Sequence, residues 1–350
     1  MNNLKKTLYS LRDITIIPSL YTTIKSRQEC NPFTYKIEDP SENQFYPLIA
    51  SPMSSVVNSK NYFKYWDNKI SCIIPRTVPL SERLVLCKKV MCAFSLKEIK
   101  EEFLDKKFEL NPSESFYVLI DIANGHMRLQ INYGSELKQI YGSRIVLMGG
   151  NIANPNTYYY YNLARFDYVR CGIGGGAGCI TSTQTGIHYP MASLINDIVE
   201  STEFYSNRVT KIVADGGIET YSDAIKCLAL GADYVMMGKT FAKSEEAAGE
   251  IISKENEKNL YRIYRGMSTK ESQAEILGEK LTDEKRKEFK TSEGKSIIVP
   301  IEYTLDKWIN NFDSYLRSSM SYCNAKNLQE LKNATCQVVT ANTSININEK

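Results

Sequence analysis

The sequence predicts a (β/α)8 TIM barrel. Three observations carry this reading. Eight short β-rich runs recur along the 350 residues, most of them are near-continuous apolar runs rather than alternating ones, and helix-compatible stretches lie between them. Continuous apolar runs mark strands buried on both faces, as in a parallel sheet. A doubly wound open sheet would give a similar string of elements. The absence of a strand-following GxGxxG, together with chemically loaded residues at nearly every strand end, favours the barrel.

The runs come in order as YPLIASPM (46–53), ISCIIP (70–75), KVMCAFSL (89–96), SFYVLIDIA (115–123), RIVLMGGNI (144–152), FDYVRCGI (166–173), VTKIVADGG (209–217) and ADYVMMGK (232–239). Helix-compatible stretches include SLKEIKEEFLDKK (95–107), NTYYYYNLARF (156–166) and TYSDAIKCLALG (220–231). The last opens on Thr, Ser and Asp, carries apolar residues at helical spacing and ends at Gly231. The tyrosine run Tyr158–Tyr161 reads as a helix face packed on the barrel. The longest interval separates the sixth and seventh runs. An enlarged βα loop on a barrel is a functional loop, because active sites sit at the C-terminal strand ends.

That loop reads GIGGGAGCITSTQTGIHYP (172–190). Its glycines let the backbone turn tightly and present carbonyls and N–H groups to a ligand. It then delivers Cys179 and the hydroxyls of Thr181, Ser182, Thr183 and Thr185. A cysteine at the end of such a turn is placed where a thiolate can attack an electrophile. Other strand ends are similarly loaded: Asp121 to Gly125, Gly149-Gly150-Asn151, Asp215-Gly216-Gly217 and Gly238-Lys239. Glycines after the seventh and eighth strands suit a phosphate site, where backbone N–H groups must approach an anion.

Composition narrows the class. Hydrophobic residues make up 43% and charged residues 24%, as in a globular protein, and the net charge of +3 implies neither a nucleic-acid nor a membrane partner. No apolar run is long enough for a membrane span, and MNNLKKTLYSLRD lacks a secretory apolar core. Nine cysteines without CxxC spacing read as reduced thiols, and so as a cytoplasmic protein. With only His126 and His188, a histidine-based metal site is not expected.

Eight pieces of the chain, in order, resemble the IMP dehydrogenase/GMP reductase family: ITIIPSLYTTIKSRQE (14–29), IASPM (49–53), DIANGH (121–126), GGN (149–151), GIGGGAGCIT (172–181), ADGGI (214–218), YRGMS (264–268) and SEGK (292–295). The resemblance implies that Cys179 forms a covalent adduct with purine C2 and that Asp215 binds the ribose hydroxyls. It puts Gly217, Gly238 and Lys239 at the phosphate and Met267 and Ser268 beside the purine, with Gly216, Ser292 and Gly294 also in the substrate pocket. Asp121 and Asn151 fall near the nicotinamide, with Arg76 and Gly174 on the same cofactor side. The carbonyls of Gly174, Gly176 and Cys179 match positions that ligate a monovalent cation, K+. The implied cofactor is NADPH, the ligands GMP and IMP, and the assembly a homotetramer.

Within the family, four features favour the reductase branch. No insertion separates the second and third strands, where most dehydrogenases carry a regulatory pair of domains. The segment between GMS and SEG is short and lacks the Arg-Tyr pair that activates water. TSEGK (291–295) resembles the reductase pattern, which makes Glu293 and Thr181 the pair that handles ammonia. TGIHYP (185–190) also resembles the reductase. Against these stand ASPM and YRGM, which look dehydrogenase-like, and the departures Ser54, Arg76 and Ala177. The expected function is NADPH-dependent reductive deamination of GMP. A dehydrogenase acting on IMP with NAD, and a catalytically silent nucleotide-binding barrel, stay as alternatives. We expect residues 1–339 to form one barrel domain with an N-terminal extension and an active-site flap at about 268–295, followed by a disordered polar tail, 340–350.

Overall fold

The continuous apolar runs become the staves of a closed parallel barrel. The structure is a computed structural model and describes residues 6–39, 41–203, 208–253, 259–279, 281–282, 287 and 291–339. The barrel strands are β1 (Leu48–Ala50), β2 (Ser71–Cys72), β3 (Cys92–Phe94), β4 (Phe116–Ile120), β5 (Ile145–Ile152), β6 (Tyr168–Cys171), β7 (Lys211–Asp215) and β8 (Tyr234–Met237). They form one sheet in the order β2-β1-β8-β7-β6-β5-β4-β3, every pairing parallel. The two ends meet at Ile74, whose N–H donates to Met91 O and whose carbonyl accepts from Ala93 N–H, each at 2.9 Å.

Alternation along each strand divides the apolar residues between two cores. Ile49, Ile73, Ala93, Leu119, Met148, Val213 and Met236 point inward, with Tyr168 and Tyr234. Leu48, Ala50, Cys72, Cys92, Val118 and Ile212 point outward into the layer between sheet and helices. Burial on both faces is why these strands read as continuous runs. Ile37, from the segment before β1, joins the inner core.

The helices that follow the strands are α1 (Tyr62–Asp67), α2 (Leu80–Leu86), α3 (Leu96–Glu98), α4 (Arg128–Tyr141), α5 (Thr157–Leu163), α6 (Met191–Glu203), α7 (Tyr221–Ala229) and α8 (Leu305–Tyr322). The stretch expected as one helix over 95–107 starts as α3 and continues as a wider-wound π segment, Ile99–Asp105. Helix α7 has the cap its sequence promised: Thr220 Oγ1 accepts the Asp223 N–H at 3.0 Å, and Asp223 Oδ2 accepts the Thr220 N–H at 3.0 Å. Tyr158 and Tyr161 of α5 are fully buried while Tyr160 is exposed, the helix-face packing expected of that run.

Elements beyond the barrel sit over its C-terminal rim and its outside. Strands Ile251–Ser253, Leu260–Arg265 and Ser296–Pro300 make a three-stranded antiparallel sheet after β8. Strands Ile14–Ile16 and Cys336–Val338 pair as a two-stranded ribbon. Among the described residues no helix is long and apolar enough to cross a membrane. The tail 340–350 and part of the segment expected as a flap lie outside the described residues.

Candidate functional site

The C-terminal strand ends open into a cleft of about 720 Å³, within the range of small-molecule sites. Its floor is a charge network built from four strands. Arg170, in β6, is buried. Its Nε and Nη2 donate to Asp215 Oδ2 at 3.1 and 2.9 Å, and its Nη1 donates to Asp121 Oδ1 at 2.8 Å. Asn151, in β5, donates from Nδ2 to the same Asp215 Oδ2 at 2.7 Å and to Gly172 O at 3.0 Å. Burial opposes the guanidinium's charge, but Asp215 and then Asp121 outweigh it and hold its pKa above the ordinary arginine value. The three bonds to Asp215 all reach Oδ2, which leaves Oδ1 for a ligand.

The glycine-rich loop after β6 brings Cys179 to one side of this floor. Cys179 Sγ lies 3.2 Å from Thr181 Oγ1 and donates to it, and Thr181 Oγ1 donates to Glu293 Oε2 at 2.7 Å. The three residues come from two pieces of chain. Thr181 opens the short helix Thr181–Thr185, while Glu293 lies just before strand Ser296–Pro300. Backbone bonds join the pieces: Ile180 N–H to Glu293 O at 2.8 Å and Lys295 N–H to Gly178 O at 2.9 Å, with Gly294 paired to Cys179. The neighbouring strand enters the same seam through Gly266. A Cβ there would lie 2.3 Å from Gly178 O, so only glycine allows this approach.

Against the glycines of the same loop, Gly216 and Gly217 follow β7, and Gly238 and Lys239 follow β8. Gly216 and Gly217 have positive φ, +103° and +74°. Tyr264 reaches this corner from the antiparallel sheet. Its hydroxyl donates to Met53 Sδ at 3.3 Å, and a Cβ on Gly238 would stand 2.6 Å from it. Burial, then the negative charges of Asp215 and Glu219, push its phenol pKa up, so the group stays a neutral donor. Lys239 Nζ donates to Glu219 Oε2 at 2.9 Å. Its charge is therefore already paired with a carboxylate.

The structure brings almost all the expected residues to one place. Arg76, Asp121, Asn151, Gly174, Gly176, Cys179, Thr181, Asp215, Gly216, Gly217, Gly238, Lys239, Met267, Ser268 and Glu293 all line the cleft. Ser292 and Gly294 stand behind the wall instead: Ser292 Oγ donates to Gly294 O at 2.6 Å, accepts from the Gly294 N–H at 3.2 Å and lies 3.3 Å from Ser268 O, bracing the turn. Of the three departures, Arg76 and Ala177 line the cleft and Ser54 does not. Sequence reading missed Arg170, Tyr264 as a cleft residue, and Gln273. Gln273 belongs to helix Lys270–Leu277, whose Ile276 and Leu277 also face the cleft. The signal for Arg170 was available. A charge inside an otherwise apolar parallel strand has to find a partner at the strand end.

Comparison with known proteins agrees with this geometry. A family model, the IMP dehydrogenase / GMP reductase domain, matches residues 88–349. A GMP reductase of Buchnera aphidicola subsp. Schizaphis graminum is 28% identical over 346 residues, covering 93% of this chain and 92% of that protein. A GMP reductase of Shewanella halifaxensis is 27% identical over 339 residues, with coverages of 93% and 92%. A GMP reductase of Onchocerca volvulus is 30% identical over 229 residues, 65% of this chain and 60% of that protein.

Proposed function

Since the chain belongs to the IMP dehydrogenase/GMP reductase family, we propose that it is a GMP reductase: GMP and NADPH, with protons, give IMP, ammonium and NADP+. The observation that carries this is the bond sequence Cys179–Thr181–Glu293, with steps of 3.2 and 2.7 Å. It offers a proton route out of the thiol to a carboxylate beside the leaving group. The thiol proton passes to the Thr181 hydroxyl as that hydroxyl gives its own to Glu293. The freed thiolate adds to purine C2 and forms the C2–S bond. Glu293, now a carboxylic acid, returns the proton through Thr181 to the amine as the C2–N bond breaks. Once C2 is reduced, the C2–S bond breaks and the thiolate departs.

The remaining cleft supports the rest of the reading. Asp215 Oδ1 accepts from a ribose hydroxyl. Gly216, Gly217 and Gly238 let backbone N–H groups approach a phosphate, with the Tyr264 phenol and Lys239 beside them. Met267 and Ser268 flank the purine, and Ser292 and Gly294 brace the turn that carries them.

NADPH fits the opposite wall. Asp121 and Asn151 stand there, and Arg76 Nε is buried with no hydrogen-bond partner among the described residues, an unused donor suited to an anionic cofactor. Bound there, NADPH supplies the hydride that replaces the amine at C2. For K+, the donors are the carbonyls of Gly174, Gly176 and Cys179. Gly174 O accepts from Ser182 Oγ at 2.8 Å and Gly176 O from the Cys179 N–H at 2.9 Å. Each carbonyl keeps a second lone pair, so the set fits a monovalent cation. By the same likeness we propose a homotetramer working in the cytoplasm.

Following the absorbance of reduced nicotinamide tests the proposal. Purified protein is expected to oxidise NADPH only when GMP is present. Reduction of NAD with IMP, and no reaction of the reverse pair, would assign it to the dehydrogenase branch. Silence with both pairs despite nucleotide binding would favour a non-catalytic barrel.

A further inference from the structure

We infer that Arg170 is a positioning residue that couples the two halves of the cleft, so that the nucleotide side and the cofactor side share one guanidinium. This rests on the reading of Asp215 as a nucleotide group and Asp121 as a cofactor group. The geometry is specific. Asp121 lies just past β4 and Asp215 ends β7, on either side of β5 and β6 in the sheet. Arg170 spans the gap with Nη1 at 2.8 Å from Asp121 Oδ1 and Nη2 at 2.9 Å from Asp215 Oδ2.

Two carboxylates and one guanidinium, all mostly buried, leave one negative charge in excess. The side chains of Asp121 and Asp215 are 19% and 13% exposed. Each carboxylate holds its orientation because the same rigid fork fixes it, and each offers only its other oxygen to a ligand. When a ligand hydroxyl donates to Asp215 Oδ1, it withdraws negative charge from the Asp215–Arg170 pair. The guanidinium then turns more of its field toward Asp121. The reverse holds for a ligand donating to Asp121. By linkage, whatever factor one bound ligand imposes on the other's affinity, the second imposes on the first. Asn151 completes the frame, since it holds Asp215 Oδ2 from β5 and so keeps Asp215 in place while Arg170 responds.

The test is titration of GMP and NADP+ separately into intact wild-type protein and three variants, with thermal melting to check folding. Asp121→Asn removes a charge on the cofactor side. It is expected to change the GMP dissociation constant by about fivefold or more, at the lower end of typical coupling between sites. A cofactor-side group without the Arg170 bridge would leave GMP affinity alone. Arg170→Met is expected to weaken both ligands by about tenfold or more. Arg170→Lys keeps the charge and several donors, and it is expected to restore both to within about threefold of wild type. If Asp121→Asn leaves GMP binding unchanged, or Arg170→Met weakens only one ligand, the coupling is overturned while the reading of the site stands. Should wild-type protein bind neither ligand, the reading of the site falls and takes the coupling with it. If Arg170→Met fails to fold, the Asp121→Asn and Arg170→Lys titrations decide alone.

Discussion

The barrel rim and the antiparallel hairpin face one another across the cleft, yet they hold their functional groups in different ways. Asp215 sits at the end of β7, and three N–H donors from β5 and β6 fix one of its oxygens. Glu293 lies on a turn outside the barrel, and its side chain has one described partner, Thr181. Its place depends on backbone bonds between the hairpin and the loop of Cys179. The groups read as holding the ribose stand at barrel strand ends. The proton route is assembled where two pieces of chain far apart in sequence meet. A loss on the rim should therefore be read in affinity, and a loss at the seam in rate.

The sharpest way to break this contrast is Cys179→Ala. Turnover should vanish while GMP binding stays within about tenfold of wild type, because the thiol contributes little to ground-state affinity. Retained turnover would remove the cysteine from the chemistry. Glu293→Gln comes next. It keeps the shape of the seam but cannot take the proton from Thr181, so the rate of GMP-dependent NADPH oxidation should fall by roughly 10²–10⁴-fold with GMP binding preserved. Loss of binding rather than rate would place Glu293 with the rim groups.

Asp215→Ala tests the other side. Nucleotide binding should weaken by about 1.5–3 kcal/mol, the worth of hydrogen bonds to a charged group, as read by calorimetric titration. An unchanged dissociation constant would refute its role with the ribose. The smallest effect is expected at Tyr161→Phe, a fully buried side chain that does not line the cleft. Tyr161 Oη donates its one proton within reach of Gly125 O at 2.7 Å and Gln130 Oε1 at 2.9 Å, so denaturant unfolding should report a loss of about 0.5–1.5 kcal/mol, with turnover near wild type. A large loss of turnover there would show that packing behind the barrel rim also governs rate.

The same division explains what the sequence disclosed. All eight barrel strands were legible because burial on both faces demands unbroken apolar runs, which few other elements produce. The Cys179 loop and the strand-end glycines were legible because their conformations restrict residue choice. Helices α4 and α8 were not singled out, since each presents a polar outer face and buries only a stripe such as Leu137 and Tyr141 or Trp308, Phe312 and Leu316. The antiparallel sheet was missed for a different reason. Its central strand LYRIYR places Arg262 fully inside, where Nη1 donates to Ala242 O at 2.6 Å and Nε to Gly249 O at 3.3 Å, and a buried arginine satisfied by carbonyls leaves no pattern in the sequence. Cys179 was legible in its glycine turn, whereas the pairing of Thr181 with Glu293 came from family likeness. Nothing local in the chain says that residues so far apart in sequence share a proton.

The contact between Gly178 and Gly266 has a consequence for how this protein can be rebuilt. Gly266 has no room for a side chain and Gly178 little, with a Cβ there 3.2 Å from Gly266 Cα, so the Cys179 loop and the hairpin are fitted to one another as backbone to backbone. A loop taken from a relative and grafted here would work only if it brought its own hairpin, or kept both glycines. Any library that randomises Gly266 would be filled mostly with proteins whose seams do not close.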